Sequence, residues 1–73
     1  MDVRRRLGLN LQRLRRAKGW SQEEFADRAG VHRTYVSGVE RGVRNPTITI
    51  VEKLALTLGE TVGVLAGGPS DEA

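Results

Sequence analysis

The chain has 73 residues and no cysteine, so its length allows one small domain, and a disulfide framework or a thiolate zinc site is excluded. Lysine and arginine number 12 against 9 aspartate and glutamate residues, which gives a formal net charge of +3. Residues 1–45 hold 11 of these positive side chains and only 5 of the negative ones, which favours an anionic partner such as nucleic acid.

Apolar residues recur at helical spacing from the start of the chain and predict a first helix over about residues 2–18. Gly19 follows this stretch and is a common residue just after the end of a helix. The apolar stripe consists of Val3, Leu7, Leu11, Leu14 and Ala17.

A second helix is predicted over about residues 22–29, ending at Gly30. Ser21 stands at its N-cap, and Glu24, three residues later, completes the pattern of a capping box. Trp20 and Phe25 have the spacing of a hydrophobic staple, so we expect both aromatic side chains in the core.

Three further helices follow at short intervals. The third covers about residues 32–41 and ends at Gly42. The fourth is capped by Thr47 and closed by Gly59, and a short fifth helix is capped by Thr61. No alternation long enough for a strand is present, so the predicted fold class is all-α. We expect one domain over residues 1–66 and a flexible tail over 67–73, because the tail is rich in glycine, proline and acidic residues.

The chain offers little that would support catalysis. His32 is its only imidazole, and Glu23 and Glu24 are adjacent on a predicted helix, so their carboxylates point about 100° apart. We therefore expect no enzymatic activity, no metal, no cofactor and no small-molecule ligand. The most apolar stretch, residues 48–66, is interrupted by charged residues, so we expect no membrane span. The N-terminus lacks the apolar run of a signal peptide, so we expect no such peptide.

Helices 2 and 3, joined by a tight turn at Gly30, predict a helix-turn-helix. Ordered motifs over about residues 7–66 resemble the Cro/repressor type, or XRE-like, helix-turn-helix family. These motifs are Leu7-Gly8, Leu14-Arg15, Gly19-Trp20-Ser21-Gln22-Glu23-Glu24, Ala26, Gly30-Val31, Tyr35-Val36, Glu40-Arg41-Gly42, Arg44-Asn45-Pro46, Leu54-Ala55 and Leu58-Gly59. The resemblance implies a compact, five-helix, lambda-repressor-like DNA-binding bundle, and many members of the family are dimeric transcriptional regulators.

The resemblance also implies roles for individual residues. The positions that match base-reading ones are Arg33, Thr34, Ser37 and Gly38. The positions that match contacts to the DNA backbone are Ser21, Gln22, Arg41, Arg44 and Asn45. His32 stands where the family often has a capping serine or threonine, and it is either a further backbone contact or an exposed turn residue. Arg15 and Glu40 match a structural ion pair that holds helix 1 to helix 3.

Three apolar residues lie where the pattern of helices 4 and 5 points outward or to the flank. These residues are Ile50, Leu56 and Val64, and we expect them to form a homodimer contact. A two-fold dimer would bind a pseudo-palindromic operator in double-stranded DNA.

The leading interpretation is a small regulator that binds a specific DNA sequence in the cytoplasm, on the nucleoid. Its setting is left open between a repressor, a restriction–modification controller and an antitoxin-type regulator. The alternative is a protein-interaction module that retains the fold without specific DNA binding. The basic N-terminal half and the matched polar positions favour DNA.

Overall fold

Five α-helices follow one another through residues 2–67, the part of the chain that the computed structural model describes. Those residues contain no strand, so the prediction of an all-α fold is confirmed. The helices are α1 (Val3–Ala17), α2 (Gln22–Ala29), α3 (Arg33–Glu40), α4 (Ile48–Leu58) and α5 (Val62–Ala66). Each begins and ends within about one residue of its predicted bounds. None of the five has the length and apolar composition needed to cross a membrane.

Polar side chains set where four of these helices begin. Asp2, Ser21, Thr47 and Thr61 each accept a hydrogen bond from a backbone N–H in the first turn of the following helix. At Asp2 this hydrogen bond from the N–H of Arg4 lowers the pKa of the carboxyl group. The exception is α3, whose N-cap residue makes no side-chain capping bond.

The predicted capping box of α2 is wrong in its second half. The Ser21 hydroxyl accepts a hydrogen bond from the N–H of Glu24 at 3.0 Å. The Glu24 carboxylate does not reach back, because it accepts a hydrogen bond from the Arg28 guanidinium at 2.8 Å. A charged donor one turn further along the helix competes well with a neutral backbone N–H.

Trp20 and Phe25 form the predicted hydrophobic staple. Their ring centroids lie 6.3 Å apart with an angle of 20° between the ring planes. Phe25 is fully buried, Trp20 packs against the edge of the core, and the Arg28 guanidinium lies 4.5 Å from the Trp20 centroid. Both aromatic rings are therefore occupied in fixing the start of α2.

All five helices contribute to one core. In the described part of the chain, α1 packs on α3 and α5, while α2 packs on α3 and α4. The largest fully buried side chains are Phe25, Leu11, Leu54, Leu58, Leu65, Val36 and Val39. Within the α2–α3 pair, α3 is thus supported by α1 and α2 by α4.

Gly8 allows α1 to approach the C-terminal end of α3. A Cβ atom at position 8 would lie 2.6 Å from the carbonyl oxygen of Glu40 and would also collide with the carbonyl oxygen of Val39. Both obstacles are backbone atoms, which cannot move away as the end of a flexible side chain can. The close helix contact therefore explains a glycine inside α1, where this residue is otherwise unfavourable.

Gly8→Ala is expected to lower the free energy of unfolding by about 1–3 kcal/mol, because overpacking outweighs the better helix propensity of alanine. Gly63→Ala is the matched control, since among the described residues a Cβ at this position of α5 would meet only the Thr61 hydroxyl, at 3.8 Å. Urea unfolding followed by circular dichroism measures both variants. A Gly8→Ala protein as stable as the wild type would contradict this account of the helix contact.

Asn10 ties α1 to the C-terminal end of α5. Its side-chain amide donates hydrogen bonds to the carbonyl oxygens of Leu65 and Gly67, both at 2.9 Å. These carbonyls lie at a helix end, where intrahelical donors run out. Gly67, the first residue of the predicted tail, is thus hydrogen-bonded to α1. The other residues of that tail, 68–73, lie outside the described part of the chain.

Candidate nucleic-acid interface

A tight turn at Gly30 joins α2 to α3. Gly30 has a φ of 72° and a ψ of 35°, in the left-handed region that glycine adopts without strain. The N–H of Val31 donates to the carbonyl of Ala26 at 3.0 Å, and the Val31 side chain packs against the core. These contacts fix α3 relative to α2, and the two helices form a helix-turn-helix.

The start of α2 and the outer side of α3 share one concave surface. It is a pocket of about 160 Å³ lined by Gln22, Arg33, Thr34, Ser37 and Arg41. The sequence predicts a DNA contact for each of these residues, and the structure brings all of them together. We call this surface the α2–α3 face.

The α2–α3 face carries positive charge on Arg33 and Arg41. Within residues 2–67, neither Arg33 nor Arg41 forms a salt bridge with a carboxylate. The only hydrogen bond that either guanidinium makes within that range is a long one, 3.4 Å, from Arg41 Nε to the carbonyl of Ser37. Exposed guanidinium groups such as these, at the start and the end of α3, are suited to phosphate oxygens and to guanine O6 and N7.

A buried ion pair lies directly behind this face. Arg15 Nε donates to Glu40 Oε2 at 2.7 Å, and Arg15 Nη2 donates to Glu40 Oε1 at 3.1 Å. Only 6% of Arg15 and 8% of Glu40 is exposed. The guanidinium also donates to the carbonyl of Trp20 at 2.7 Å, so the pair joins α1, the start of α2 and the end of α3.

Gln22 is held in place by the same pair. Its side-chain amide nitrogen donates to Glu40 Oε1 at 3.0 Å. An amide nitrogen has two N–H groups, so one is left to donate to a phosphate. The sequence resemblance supplies a role for Gln22 and for the ion pair separately, but their hydrogen bond to each other is visible only in the structure.

The other predicted backbone contacts lie at helix ends and in the connection between α3 and α4. Ser21 and His32 are the exposed N-cap residues of α2 and α3. Arg44 and Asn45 are exposed in the segment that leads to α4. All four positions are accessible to a large anionic partner.

The structure differs from the sequence prediction at Gly38, which was expected among the base-reading residues. Gly38 is buried, because the side chain of Arg44 lies across it. The Arg44 guanidinium also lies over the ring of Tyr35, with 5.5 Å from Cζ to the ring centroid. No sequence spacing indicates this contact, since it depends on how the chain turns after α3.

Ile50 also differs from its predicted place in a dimer contact. It is half-buried, packs against the core and lines an apolar depression with Val31, His32 and Tyr35. Its side chain is thus occupied by packing at the start of α4. Leu56 and Val64, by contrast, are 72% and 46% exposed.

α3 directly follows a tight turn from α2 and exposes Arg33 and Thr34 in its first turn. This arrangement defines a helix-turn-helix protein of the DNA-binding class. The family model for Helix-turn-helix (HTH_3) matches residues 11–65. The chain therefore belongs to this family of transcriptional regulators, which is not a family of enzymes.

Three similar proteins illustrate the relationship. The HTH-type transcriptional regulator y4dJ of Sinorhizobium fredii is 49% identical over 59 residues, which cover 81% of this chain and 77% of that protein. The restriction–modification controller protein C.AhdI of Aeromonas hydrophila superimposes with a TM-score of 0.82 at 44% identity, covering 85% of this chain and 94% of that one. SinR, a regulator known from Bacillus subtilis, was crystallised with DNA. Its structure superimposes with a TM-score of 0.77 at 37% identity, covering 81% of this chain and 95% of that one.

Proposed function

We propose that this protein binds a specific sequence in double-stranded DNA, with α3 in the major groove, and so regulates transcription. The observation that carries the proposal is the α2–α3 face, where five matched polar and basic residues meet on one exposed surface. The likeness to SinR, which was crystallised with DNA, supports the same partner for this chain.

In a recognition helix, the residues near the N-terminus are the ones that contact base edges in the major groove. We assign this role to the first turn of α3. Arg33 is exposed there, and its fork of donors fits guanine O6 and N7. Thr34 beside it can accept or donate at a base edge or touch a thymine methyl group, and Ser37 lies one turn further along. These three side chains are the proposed readers of base sequence.

Contacts to the DNA backbone would fix the position of α3. The N-terminal end of α2 presents unpaired N–H groups and the positive end of the helix dipole to a phosphate, and Ser21 and Gln22 lie at that end. Arg41 and Arg44 supply charge at the other end of α3. His32, at the start of α3, and Asn45 are the further proposed contacts. Phosphate contacts are the same for every sequence, so these residues contribute affinity rather than selectivity.

A homodimer would place two copies of α3 on one side of the DNA. The exposed Leu56 of α4 and Val64 of α5 lie on helices that pack against each other, which supports an apolar contact between two copies. The two half-sites would then lie about 34 Å apart along the DNA, one helical turn.

Leu56→Glu is expected to convert the dimer into a monomer in sedimentation experiments, because burying an unpaired carboxylate in an apolar contact is costly. Ile48→Glu is the matched control, since Ile48 is 69% exposed at the opposite end of α4. We expect the control to remain dimeric. A wild-type chain that sediments as a monomer both free and on DNA would remove the dimer from the proposal.

The likeness to C.AhdI supports a controller of restriction–modification genes as the setting, and the likeness to SinR supports a regulator of other genes. In either setting the protein acts where its DNA target lies, in the cytoplasm on the nucleoid. Repression and activation differ in where the bound site lies relative to a promoter. The positions of this protein's binding sites relative to promoters therefore distinguish a repressor from an activator.

Selection of binding sites from random DNA, followed by gel shifts with the selected and a scrambled duplex, tests the proposed function. The affinity for the selected duplex is expected to exceed that for the scrambled duplex by a factor of about 10³ or more. No enrichment of any sequence, together with no gel shift at low salt, would contradict DNA binding. That result would favour the protein-interaction module.

A further inference from the structure

Arg44 lies flat across α3 at Gly38. A Cβ atom placed on Gly38 would lie 2.5 Å from Cγ of Arg44, 3.5 Å from its Cδ and 3.4 Å from its Nε. The stem of Arg44 therefore fills the space that any other residue at position 38 would use for its side chain. A glycine inside this eight-residue helix is unfavourable for helix formation, so its presence needs a packing reason.

The outer end of the Arg44 side chain is held by Tyr35. The guanidinium carbon lies 5.5 Å from the centroid of the Tyr35 ring, within the range of a cation–π interaction. Tyr35 is half-buried and packs against the core, so the ring is a fixed platform one turn before Gly38.

The backbone of the segment is fixed to the same point. The N–H groups of Val43 and Arg44 both donate to the carbonyl of Gly38, at 3.0 and 3.2 Å. Arg44 is therefore held to α3 by its main chain, by its stem and by its guanidinium. No carboxylate within residues 2–67 forms a salt bridge with it, so its charge stays available to an external anion.

We propose that Gly38 and Tyr35 are positioning residues that hold Arg44 ready to contact a DNA phosphate at the edge of the α2–α3 face. Gly38 acts through Arg44 and not through a close approach of its own backbone to a base. The inference rests on the proposed function, since it concerns how one contact of that DNA interface is prepared. An ordered arginine loses less conformational freedom on binding than a free one, and this gain appears as affinity.

A double-mutant cycle on Gly38 and Arg44 tests the proposal. The probe is a random-sequence duplex, because a phosphate contact does not depend on base sequence. Arg44→Ala is expected to weaken binding roughly fivefold to tenfold at 0.1 M salt, the effect of losing about one phosphate contact. Gly38→Ala displaces Arg44 and is expected to weaken binding roughly threefold to tenfold, but no more than Arg44→Ala does.

The decisive measurement is Gly38→Ala in the Arg44→Ala background. We expect a further loss of less than about twofold, because the residue that Gly38 positions is already absent. Equal losses in both backgrounds would overturn the proposal, since Gly38 would then act directly on DNA. Unchanged binding by the Gly38→Ala single variant would also overturn it.

Two variants of Tyr35 test the platform separately. Tyr35→Phe retains the ring and is expected to bind the random duplex within about twofold of the wild type, whereas Tyr35→Leu removes the ring and is expected to weaken binding about threefold. Equal losses in both would assign the effect to the hydroxyl group and contradict the platform. Thermal unfolding of each variant shows that the comparison is made between folded proteins.

The melting temperature of Gly38→Ala distinguishes a positioning role of Gly38 from a purely structural one. Once Arg44 swings aside, alanine is favourable in a helix, so the variant is expected to unfold at the same temperature as the wild type or a higher one. A large drop in its melting temperature would mean that the role of Gly38 is to allow close packing of the helices and not to position Arg44. Wild-type protein that binds no DNA at low salt would overturn the proposed function itself, whereas additive losses in a protein that binds would overturn only the positioning role.

Discussion

Replacing Glu40 with alanine is expected to lower the free energy of unfolding by about 3–5 kcal/mol, because the Arg15 guanidinium would remain buried without its carboxylate partner. Both oxygens of Glu40 accept hydrogen bonds from Arg15. Counting side-chain atoms alone, Glu40 is 2% exposed and Arg15 is 8% exposed. A domain of this size has a total stability of about 5 kcal/mol or little more, so much of the variant protein would be unfolded.

The chain offers a matched control in a second arginine–glutamate pair. Arg28 and Glu24 lie 2.8 Å apart, but their side chains are about half exposed, at 50% and 48%. Exposed pairs of this kind contribute about 0.2–1 kcal/mol, so removing either partner should have a small effect. Urea unfolding of the single and double alanine variants gives the coupling energy of each pair. Additive losses for Arg15 and Glu40 would show that the two residues do not interact.

Glu40 also connects stability with the proposed DNA contact, since it orients Gln22. In Glu40→Ala no side-chain oxygen is left to accept the hydrogen bond from Gln22. We expect weaker binding of selected and random DNA alike in the folded fraction of this variant, because a freed Gln22 affects a backbone contact and not a reading one.

Arg33→Ala is expected to cost about 1–3 kcal/mol on the selected DNA site and much less on random DNA, because a base contact is made only to the correct sequence. Arg41→Ala should weaken both complexes alike and lower the slope of log K against log salt by about one. Thr34→Ala should alter the preference at one or two base pairs and leave the slope nearly unchanged. Affinities over a salt series for the wild type and the three variants measure all of these effects.

The ratio of specific to random affinity separates the two kinds of contact, since their losses overlap in size. If Arg33→Ala weakens both complexes equally, Arg33 is a backbone contact and the proposed reading surface is misplaced. If Arg41→Ala changes the ratio, Arg41 reads bases.

The five helices follow from local features of the sequence. Ser21, Thr47 and Thr61 are capping residues, and Gly30 and Gly59 have the left-handed backbone that ends a helix. These signals act within a few residues of the chain, so they can be read without knowing the fold. The staple of Trp20 and Phe25 is local in the same sense.

The sequence does not reveal which of two competing partners a side chain bonds. It also does not reveal which contacts form between residues far apart in the chain. Glu24 bonds Arg28 instead of the start of its own helix, and Asn10 caps a helix 55 residues away. Arg44 covers Gly38 because of the path of the chain after α3, and Ile50 lines an apolar depression beside Tyr35. Each outcome depends on the packed arrangement of several helices, and no spacing in the sequence encodes it.

The candidate DNA contacts have a different origin from the helices. Composition indicates an anionic partner, but the individual positions, such as Arg33 and Gln22, come from the family resemblance. The structure adds that they lie on one face, that Arg33 forms no salt bridge with any carboxylate of residues 2–67, and that Gln22 is fixed by a buried carboxylate. None of these points follows from the pattern of residue types.

The most direct test of the central claim, that the first turn of α3 reads bases in the major groove, substitutes 7-deazaguanine at each guanine of the selected site. This base lacks the N7 acceptor, which lies in the major groove, and leaves Watson–Crick pairing intact. We predict one guanine in each half-site whose substitution weakens binding of the wild type but does not further weaken Arg33→Ala. Losses of equal size in the wild type and in Arg33→Ala at every guanine would contradict the claim.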